Sequence, residues 1–157
     1  MDRLDRQPQD AAADGIRDTR VRNLIGYNLK RSYMLVRSSA EAALAPHELR
    51  VVSMTALSLI VDNPGISPSQ IADALQMERP NIVVIIDELE ARDLVDRARS
   101  TTDRRRYALT ATLKGRRLRD RATADAAAAE DRAISALTAE EKELLLALLK
   151  KVRRDSE

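Results

Sequence analysis

The chain has 157 residues, enough for one domain with helical extensions and a sizeable buried core. It contains no Cys and a single His, which excludes disulfides, thiolate metal sites and a cluster of histidines. Its apolar runs are far shorter than the roughly 20 residues that a membrane helix needs, and the N-terminus lacks the apolar core of a signal peptide. We therefore expect a cytoplasmic protein without a membrane partner.

The charge of the chain is nearly balanced overall but uneven along the sequence. Lys and Arg number 27 and Asp and Glu 25, so the net charge of +2 does not by itself indicate a nucleic-acid partner. Between Arg97 and Arg106, however, five arginines stand against one acid, Asp103. This segment is the main sequence signal for contact with a polyanion.

The N-terminal part of the chain predicts a tail and two helices. Residues 1–15 are polar and poor in apolar side chains, which predicts a disordered tail. At about 16–39 apolar residues recur at helical spacing and predict a long amphipathic helix. Pro46 is predicted to open a second helix, with His47 in its first turn, and the Asn63-Pro64-Gly65 sequence to end it.

The next helix start is the best marked in the chain. Ser67 is a predicted N-cap, Pro68 stands at the first helical position and Gln70 at the third, the pattern of a capping box. This short helix should reach about Leu75, and a tight turn should lead into a helix at about 79–92. The stripe predicted to face inward in the second of these helices consists of Ile82, Ile85, Ile86 and Leu89.

The C-terminal part predicts a hairpin and two further helices. Two short strands are expected at about 94–99 and 106–109, joined by a polar loop. Thr110 is predicted to cap a long, Ala-rich helix that ends near Ala136. A second capping box, at Thr138 and Glu141, precedes a last helix with a stripe of leucines. The predicted fold class is therefore mainly α with a small β-hairpin wing.

A helix, a tight turn, a second helix and a basic hairpin follow one another in the order of a winged helix-turn-helix. The second helix of such a pair can enter the major groove, where base pairs are distinguishable, and the arginine-bearing loop can reach phosphates or the minor groove. We predict a DNA-binding domain at residues 46–110 between dimerisation helices at 16–45 and 111–157. The apolar stripes of the flanking helices favour a homodimer, because each stripe needs a partner.

Two stretches carry a resemblance to a known family: NPGISPSQIADALQMERPNIVVIIDELEARDLV and DRRRYALTATLKG. They resemble the multiple antibiotic resistance regulator (MarR) family of bacterial transcription factors, and the resemblance extends over about 21–152. It implies a dimer, built by the first, fifth and sixth helices, that binds a pseudo-palindromic operator in double-stranded DNA. It also implies a repressor that a small-molecule effector, such as an aromatic acid, releases from DNA.

The resemblance also implies roles for individual residues. In the wing, Asp103 orients an arginine and Arg105 inserts into the minor groove, while Ser67 and Gln70 lie near the DNA backbone. Asn81 is the best candidate for hydrogen bonding to a base. The implied DNA-contacting residues are Arg79, Pro80, Asn81, Val83 and Val84 on the recognition helix, and Arg99, Asp103, Arg104, Arg105 and Arg106 on the wing.

The chain departs from the family pattern at two places. Val83 and Val84 stand where the family often has a polar residue or Arg, which favours apolar contact with thymine methyl groups. Burial of both valines within the domain is the alternative. Asp93 stands where the family usually has Gly, and Asp tolerates the left-handed conformation better than most residues do.

The resemblance further implies an effector pocket between the dimer helices and the DNA-binding lobe. The candidates for its lining are Tyr27, Arg31, Tyr33, His47 and Arg50. An ordinary surface position is the favoured alternative for each of them. The low aromatic content, three Tyr without Phe or Trp, also provides few side chains on which an aromatic ligand could stack.

A protein-interaction module and an enzyme are the two other classes of function to compare with the sequence. A winged-helix protein-interaction module is the alternative to DNA binding, with Ile82, Val83 and Val84 as its docking surface, although a protein partner does not require a basic wing. An enzyme is not expected, since the chain lacks a Cys nucleophile, a Gly-rich phosphate loop and metal-ligand spacing. Asp87 and Glu90 share one helix face, which is ordinary for surface acids. No cofactor and no metal are expected.

Overall fold

The structure is a computed structural model that describes residues 18–99 and 107–153. As the sequence predicts, it is mainly helical with one two-stranded antiparallel hairpin. By contacts the chain divides into two compact units, residues 1–34 and 35–157. In chain order the elements are α1 (Ile25–Leu44), α2 (Val51–Asp62), α3 (Pro68–Leu75), α4 (Arg79–Ala91), β1 (Val95–Arg99), β2 (Tyr107–Ala111), α5 (Leu113–Ala133) and α6 (Ala139–Arg153).

The first two helices begin later than predicted. Helix α1 starts at Ile25, because residues 19–23 form turns. Pro46 does not open α2 and His47 is not in its first turn: the segment Ala45–His47 is a 3-10 turn. Glu48, which follows, has the left-handed conformation with a φ of 53°. This residue interrupts the helical path, so α2 begins only at Val51.

The cap of α5 also differs from the prediction. Thr110 is not the cap, because it lies within β2 and pairs with Asp96 across the hairpin. Thr112 takes this role, and its side-chain oxygen accepts a hydrogen bond of 3.0 Å from the amide of Gly115. Both threonines precede α5. Because Thr110 is paired in the strand, Thr112 is the residue that caps the helix.

An apolar core in the second unit contains side chains from helices α2, α3, α4 and α5 and from both strands of the hairpin. The stripe predicted to face inward on α4 is buried, and it meets side chains from α2, α3 and both strands. Each such side chain contributes roughly 1.5–3 kcal/mol by leaving water. The largest fully buried side chains are Leu44, Leu57, Ile60, Ile71, Ile82, Ile86, Leu89, Leu94, Val95 and Leu109.

The hairpin is anchored to the residues that precede α3. Its antiparallel register pairs Val95 with Ala111 and Arg99 with Tyr107. Leu109 of β2 also forms a bridge with Ile66: its amide donates to the carbonyl of Ile66 at 2.9 Å. Its carbonyl accepts from the amide of Gly65 at 2.8 Å, and Gly65 adopts a φ of 91° that favours glycine. The strands are thus fixed to the helix pair.

Helix α6 begins at the predicted second capping box. The amide of Thr138 donates to Glu141 at 2.8 Å, and the amide of Glu141 donates to the Thr138 hydroxyl at 3.3 Å. None of the residues of α6 is buried within the described parts of one chain. Large apolar side chains exposed on this helix are Leu144, Leu145, Leu146, Leu148 and Val152.

The helices of residues 18–99 and 107–153 do not include a single membrane span. No single helix is both long and apolar enough to cross a bilayer. The segments Ile25–His47 and Val51–Asp62 would meet the requirement of length and composition only as a pair, and they are bent by 71° at the break between them.

Candidate nucleic-acid interface

Helices α3 and α4 form the predicted helix pair, and α3 has the predicted cap. The amide of Ser67 donates to the side-chain oxygen of Gln70 at 3.0 Å, and the amide of Gln70 donates to the Ser67 hydroxyl at 3.3 Å. Gln76 ends α3 in the left-handed conformation, with a φ of 51°. This allows the chain to turn within a few residues and to start α4 at Arg79.

Helix α4 has one buried and one exposed face. Ile82, Ile85, Ile86 and Leu89 are buried, so their positions fix the rotation of the helix about its axis. Val83 and Val84 are 39% and 55% exposed, and the alternative that both are buried is wrong. The exposed side chains include all those predicted to contact DNA on this helix: Arg79, Pro80, Asn81, Val83 and Val84.

Because Ile82 is fully buried, the docking surface of the alternative protein-interaction module loses one of its three residues. Two valines remain exposed beside Arg79 and Asn81. An apolar anchor for a protein partner is usually larger than this. The exposed face of α4 is therefore mixed in polarity, with hydrogen-bonding and methyl groups side by side, which suits the edges of base pairs.

Arg97, the first arginine of the basic segment, faces α4. Its side chain is 19% exposed and forms ion pairs with Asp87 and with Glu90, the latter at 3.2 Å. Its guanidinium carbon lies 5.5 Å from the centre of the Tyr107 ring. In the sequence Arg97 belongs to the basic segment that ends at Arg106, and the two acids are expected to be ordinary surface residues. Their pairing with Arg97 was not predicted.

Of the residues predicted for the wing, Arg99 lies within the described part of the chain. Arg99 is the last residue of β1 and pairs with Tyr107 in β2. Asp103, Arg104, Arg105 and Arg106 lie outside the described residues. In the sequence these four residues lie between the two described strands, which end at Arg99 and begin at Tyr107. Asp93, where the family usually has Gly, has a φ of 56°, as expected for a left-handed position.

Three of the residues predicted to line an effector pocket lie in the first unit. The carboxylate of Asp18 accepts from the Tyr27 hydroxyl at 2.5 Å, from Arg31 at 3.1 Å, and from Arg22. The hydrogen bond from Tyr27, followed by that from Arg22, holds the pKa of Asp18 below its ordinary value of 3.8. Tyr33 is 56% exposed.

The other two candidates lie in the second unit, and each is engaged with an acid. The Nε2 atom of His47 lies 2.6 Å from a carboxylate oxygen of Asp125 on α5. Arg50, the residue before α2, donates to Glu88 of α4 at 2.6 Å and lines a cleft of about 380 Å³. The two residues therefore connect the start of α2 to α5 and to α4. Among residues 18–99 and 107–153 no cluster of potential metal ligands occurs.

A helix pair followed by a hairpin, with the second helix open on one side, defines a winged helix-turn-helix protein. The sequence model of the MarR family matches residues 47–106 of this chain. A solved transcriptional regulator of the MarR family from Rhodococcus sp. RHA1 is 32% identical, with a TM-score of 0.77, over 82% of this chain and 91% of that one. Together the two matches show that this chain belongs to the MarR family.

Three further matches, two of them structures of a repressor named CouR, illustrate the similarity. The repressor CouR, solved bound to a 23-mer DNA duplex, is 34% identical with a TM-score of 0.82, over 88% of this chain and 98% of that one. CouR from Rhodococcus jostii RHA1, solved with p-coumaroyl-CoA, gives 32% identity and a TM-score of 0.75 over 86% and 95%. A protein described as a transcriptional regulator of the hcr operon of Thauera aromatica is 40% identical over 103 residues, which are 64% of this chain and 61% of that relative.

Proposed function

We propose that this chain is a homodimeric transcriptional repressor that binds a pseudo-palindromic operator in double-stranded DNA. The observation that carries the proposal is the division of α4 into a buried face and an exposed face that includes Arg79, Asn81 and Val84. A helix held in this way can lie in the major groove without losing its packing on the domain. The 23-mer duplex bound by CouR supports the same use of the fold here.

The proposed division of labour follows the organisation of the chain. Residues 46–110 bind DNA, and the segments 16–45 and 111–157 form the dimer. Two-fold symmetry then presents two copies of α4 to successive major grooves, roughly 10 base pairs apart. Apolar side chains exposed on α1 and α6, such as Leu35 and Leu148, support dimerisation through these segments.

Within the DNA-binding domain, three groups of residues take different roles. Asn81 hydrogen-bonds a base, Val83 and Val84 contact thymine methyl groups, and Arg79 and Pro80 lie at the start of the same helix. Ser67 and Gln70 lie near the DNA backbone, at the N-terminus of α3, where helix amides favour phosphate. The wing contributes Arg99, Asp103, Arg104, Arg105 and Arg106, with Arg105 in the minor groove.

We further propose that a small-molecule effector relieves repression by favouring a spacing of the two DNA-binding lobes that does not fit the operator. The p-coumaroyl-CoA complex of CouR supports an aromatic acid or its thioester as the class of effector. Tyr27, Arg31, Tyr33, His47 and Arg50 remain the candidates for contact with it. The chain is proposed to act in the cytoplasm without catalytic activity of its own.

The experiment that tests this function is selection from a random duplex library at about 0.15 M salt, where phosphate contacts alone give weak binding. The full-length chain and the Arg105→Ala variant are compared. Recovery of a pseudo-palindrome by the wild type, and weaker retention of the same sequence by the variant, would support the proposal. Absence of any enriched sequence, with a folded dimer verified by circular dichroism and sedimentation, would contradict it.

A further inference from the structure

Arg97 differs from the exposed Arg79 at the start of α4, because its charge is directed into the protein. It lies in the middle of β1, opposite Leu109 in β2. Asp87 and Glu90, with which it pairs, are one turn apart on α4 and therefore project from the same face of that helix. A single side chain of the hairpin thus bridges two carboxylates of the recognition helix.

The surroundings of Arg97 restrict its side chain further. The ring of Tyr107 lies 5.5 Å from the guanidinium carbon, and the Nε atom is buried without a hydrogen-bond partner among the described residues. The planar, forked guanidinium can contact two carboxylates and a ring at the same time, which a lysine ammonium cannot reproduce. One side chain therefore connects three elements, α4, β1 and β2.

We infer that Arg97 is a positioning residue, which sets the direction of the hairpin relative to the recognition helix and makes no contact with DNA itself. The inference rests on the proposed function, since it assumes that α4 and the hairpin occupy neighbouring grooves. A domain that contacts both grooves must hold its recognition helix and its hairpin at a fixed distance and angle from each other. The ion pairs between Arg97 and the two acids supply that constraint at the C-terminal half of α4, away from exposed residues of its N-terminal half such as Arg79 and Asn81.

Arg97 could either contact a DNA phosphate or position the hairpin, and these two roles predict opposite effects on DNA binding when Asp87 and Glu90 are neutralised. If Arg97 contacted a phosphate, neutralising Asp87 and Glu90 would free its charge and strengthen DNA binding. If Arg97 positions the hairpin, neutralising the acids releases it and weakens operator binding, although two negative charges near DNA have been removed. The acids, rather than Arg97 alone, therefore separate the two roles.

The test uses full-length protein and the duplex that the wild type selects. The variants are Arg97→Met, the double variant Asp87→Asn with Glu90→Gln, and the triple combination. Arg121→Met is the matched control, because it removes the same charge from an exposed position on α5. Operator affinity, its salt dependence and hydroxyl-radical protection of the minor groove are measured for each.

We expect Arg97→Met and the double variant to lose minor-groove protection and to weaken operator binding on the order of ten-fold, the equivalent of one lost groove contact. The triple variant should lose no more than either, because all three disrupt one tie. Arg121→Met should keep both protection and affinity.

Tighter binding by the double variant, or unchanged minor-groove protection in Arg97→Met, would overturn the inference. If Arg97→Met does not fold, the double variant decides alone, because both acids are exposed and their replacements have nearly the same shape. Failure of the wild type to select any duplex would instead contradict the proposed function.

Discussion

Gly115, in the first turn of α5, lies directly against the carbonyl oxygen of Leu94: a Cβ atom at position 115 would be 2.0 Å from that oxygen. The carbonyl is itself held, because it accepts hydrogen bonds from the amide of Thr112 at 3.1 Å and from its hydroxyl at 3.3 Å. Lys114 adds a bond of 2.7 Å to the carbonyl of Arg92. The start of α5 is therefore fixed to the turn between α4 and β1.

Gly115→Ala should destabilise the fold by about 3 kcal/mol, since backbone rather than a flexible side chain must move to admit the methyl group. Gly26→Ala is the matched control, because nothing lies within 4 Å of a Cβ there, and α1 should gain up to about 1 kcal/mol. Urea unfolding at equal protein concentration measures both. Equal stability of the two variants would contradict the close approach.

Asn81→Ala should relax the base preference at one position of the selected operator, with a loss of about 1–3 kcal/mol for the preferred base. The side chain is exposed on α4, and its amide can both donate to and accept from an adenine edge. Competition binding with operators that differ at single positions measures the effect. A loss of the same size on every sequence, including random DNA, would argue against base contact by Asn81.

Val84→Ala should remove the sensitivity of the protein to a thymine methyl group. Val84 is 55% exposed on the free surface of α4, so its methyl groups are available to a partner. Replacing thymines of the operator with uracil one at a time should cost the wild type about 0.8 kcal/mol at the contacted position. The variant should bind both duplexes equally. If no uracil substitution weakens the wild type, the valines do not read methyl groups.

Arg105→Ala should weaken binding to the operator and to random duplex alike, and should reduce the salt dependence by about one released ion. The physical reason is that the loss of a backbone or groove contact does not depend on sequence. Affinities measured over a series of salt concentrations give the slope. An unchanged slope with a changed base preference would reverse the roles proposed for Arg105 and Asn81.

The Asp18 carboxyl should titrate below pH 3.8, and Tyr27→Phe should raise its pKa, because Tyr27 donates the hydrogen bond that lowers it most. A pKa that is lower in the folded chain stabilises the fold above the unfolded pKa, and this contribution is lost as pH falls from about 3.8 towards the folded value. Carbon-13 NMR of the carboxyl measures the midpoint. An unchanged midpoint in the phenylalanine variant would refute the assigned cause.

The parts of the fold that local chemistry specifies could be predicted from sequence. The capping box at Ser67 needs only residues three apart, and the buried stripe of α4 follows from helical periodicity. The start of α2 could not be predicted in the same way, because Pro46 is compatible with a first helical turn and with the 3-10 turn it occupies. The left-handed conformation of Glu48 ends the 3-10 turn before α2 can begin. A glutamate in the sequence gives no local signal for that conformation.

The cap of α5 and the partners of Arg97 could not be predicted, because both depend on pairing between residues far apart in the sequence. Thr110 and Thr112 are equally good caps by composition, and only the register of the hairpin distinguishes them. Arg97 was counted only as one arginine of the basic segment, because its partner Asp87 lies ten positions earlier, in a different element of secondary structure. The exposed state of Val83 and Val84, by contrast, was one of two open alternatives, and the burial of Ile82 settled it.

The exposed apolar side chains of α6 affect the stability of a newly synthesised chain before it binds DNA. A newly made chain presents the row of leucines on α6 to solvent, and only a second copy is proposed to cover it. Unpaired chains are then the form most open to proteolysis and aggregation, while pairing protects them. In the cell, single chains of this regulator are consequently expected to be shorter-lived than pairs.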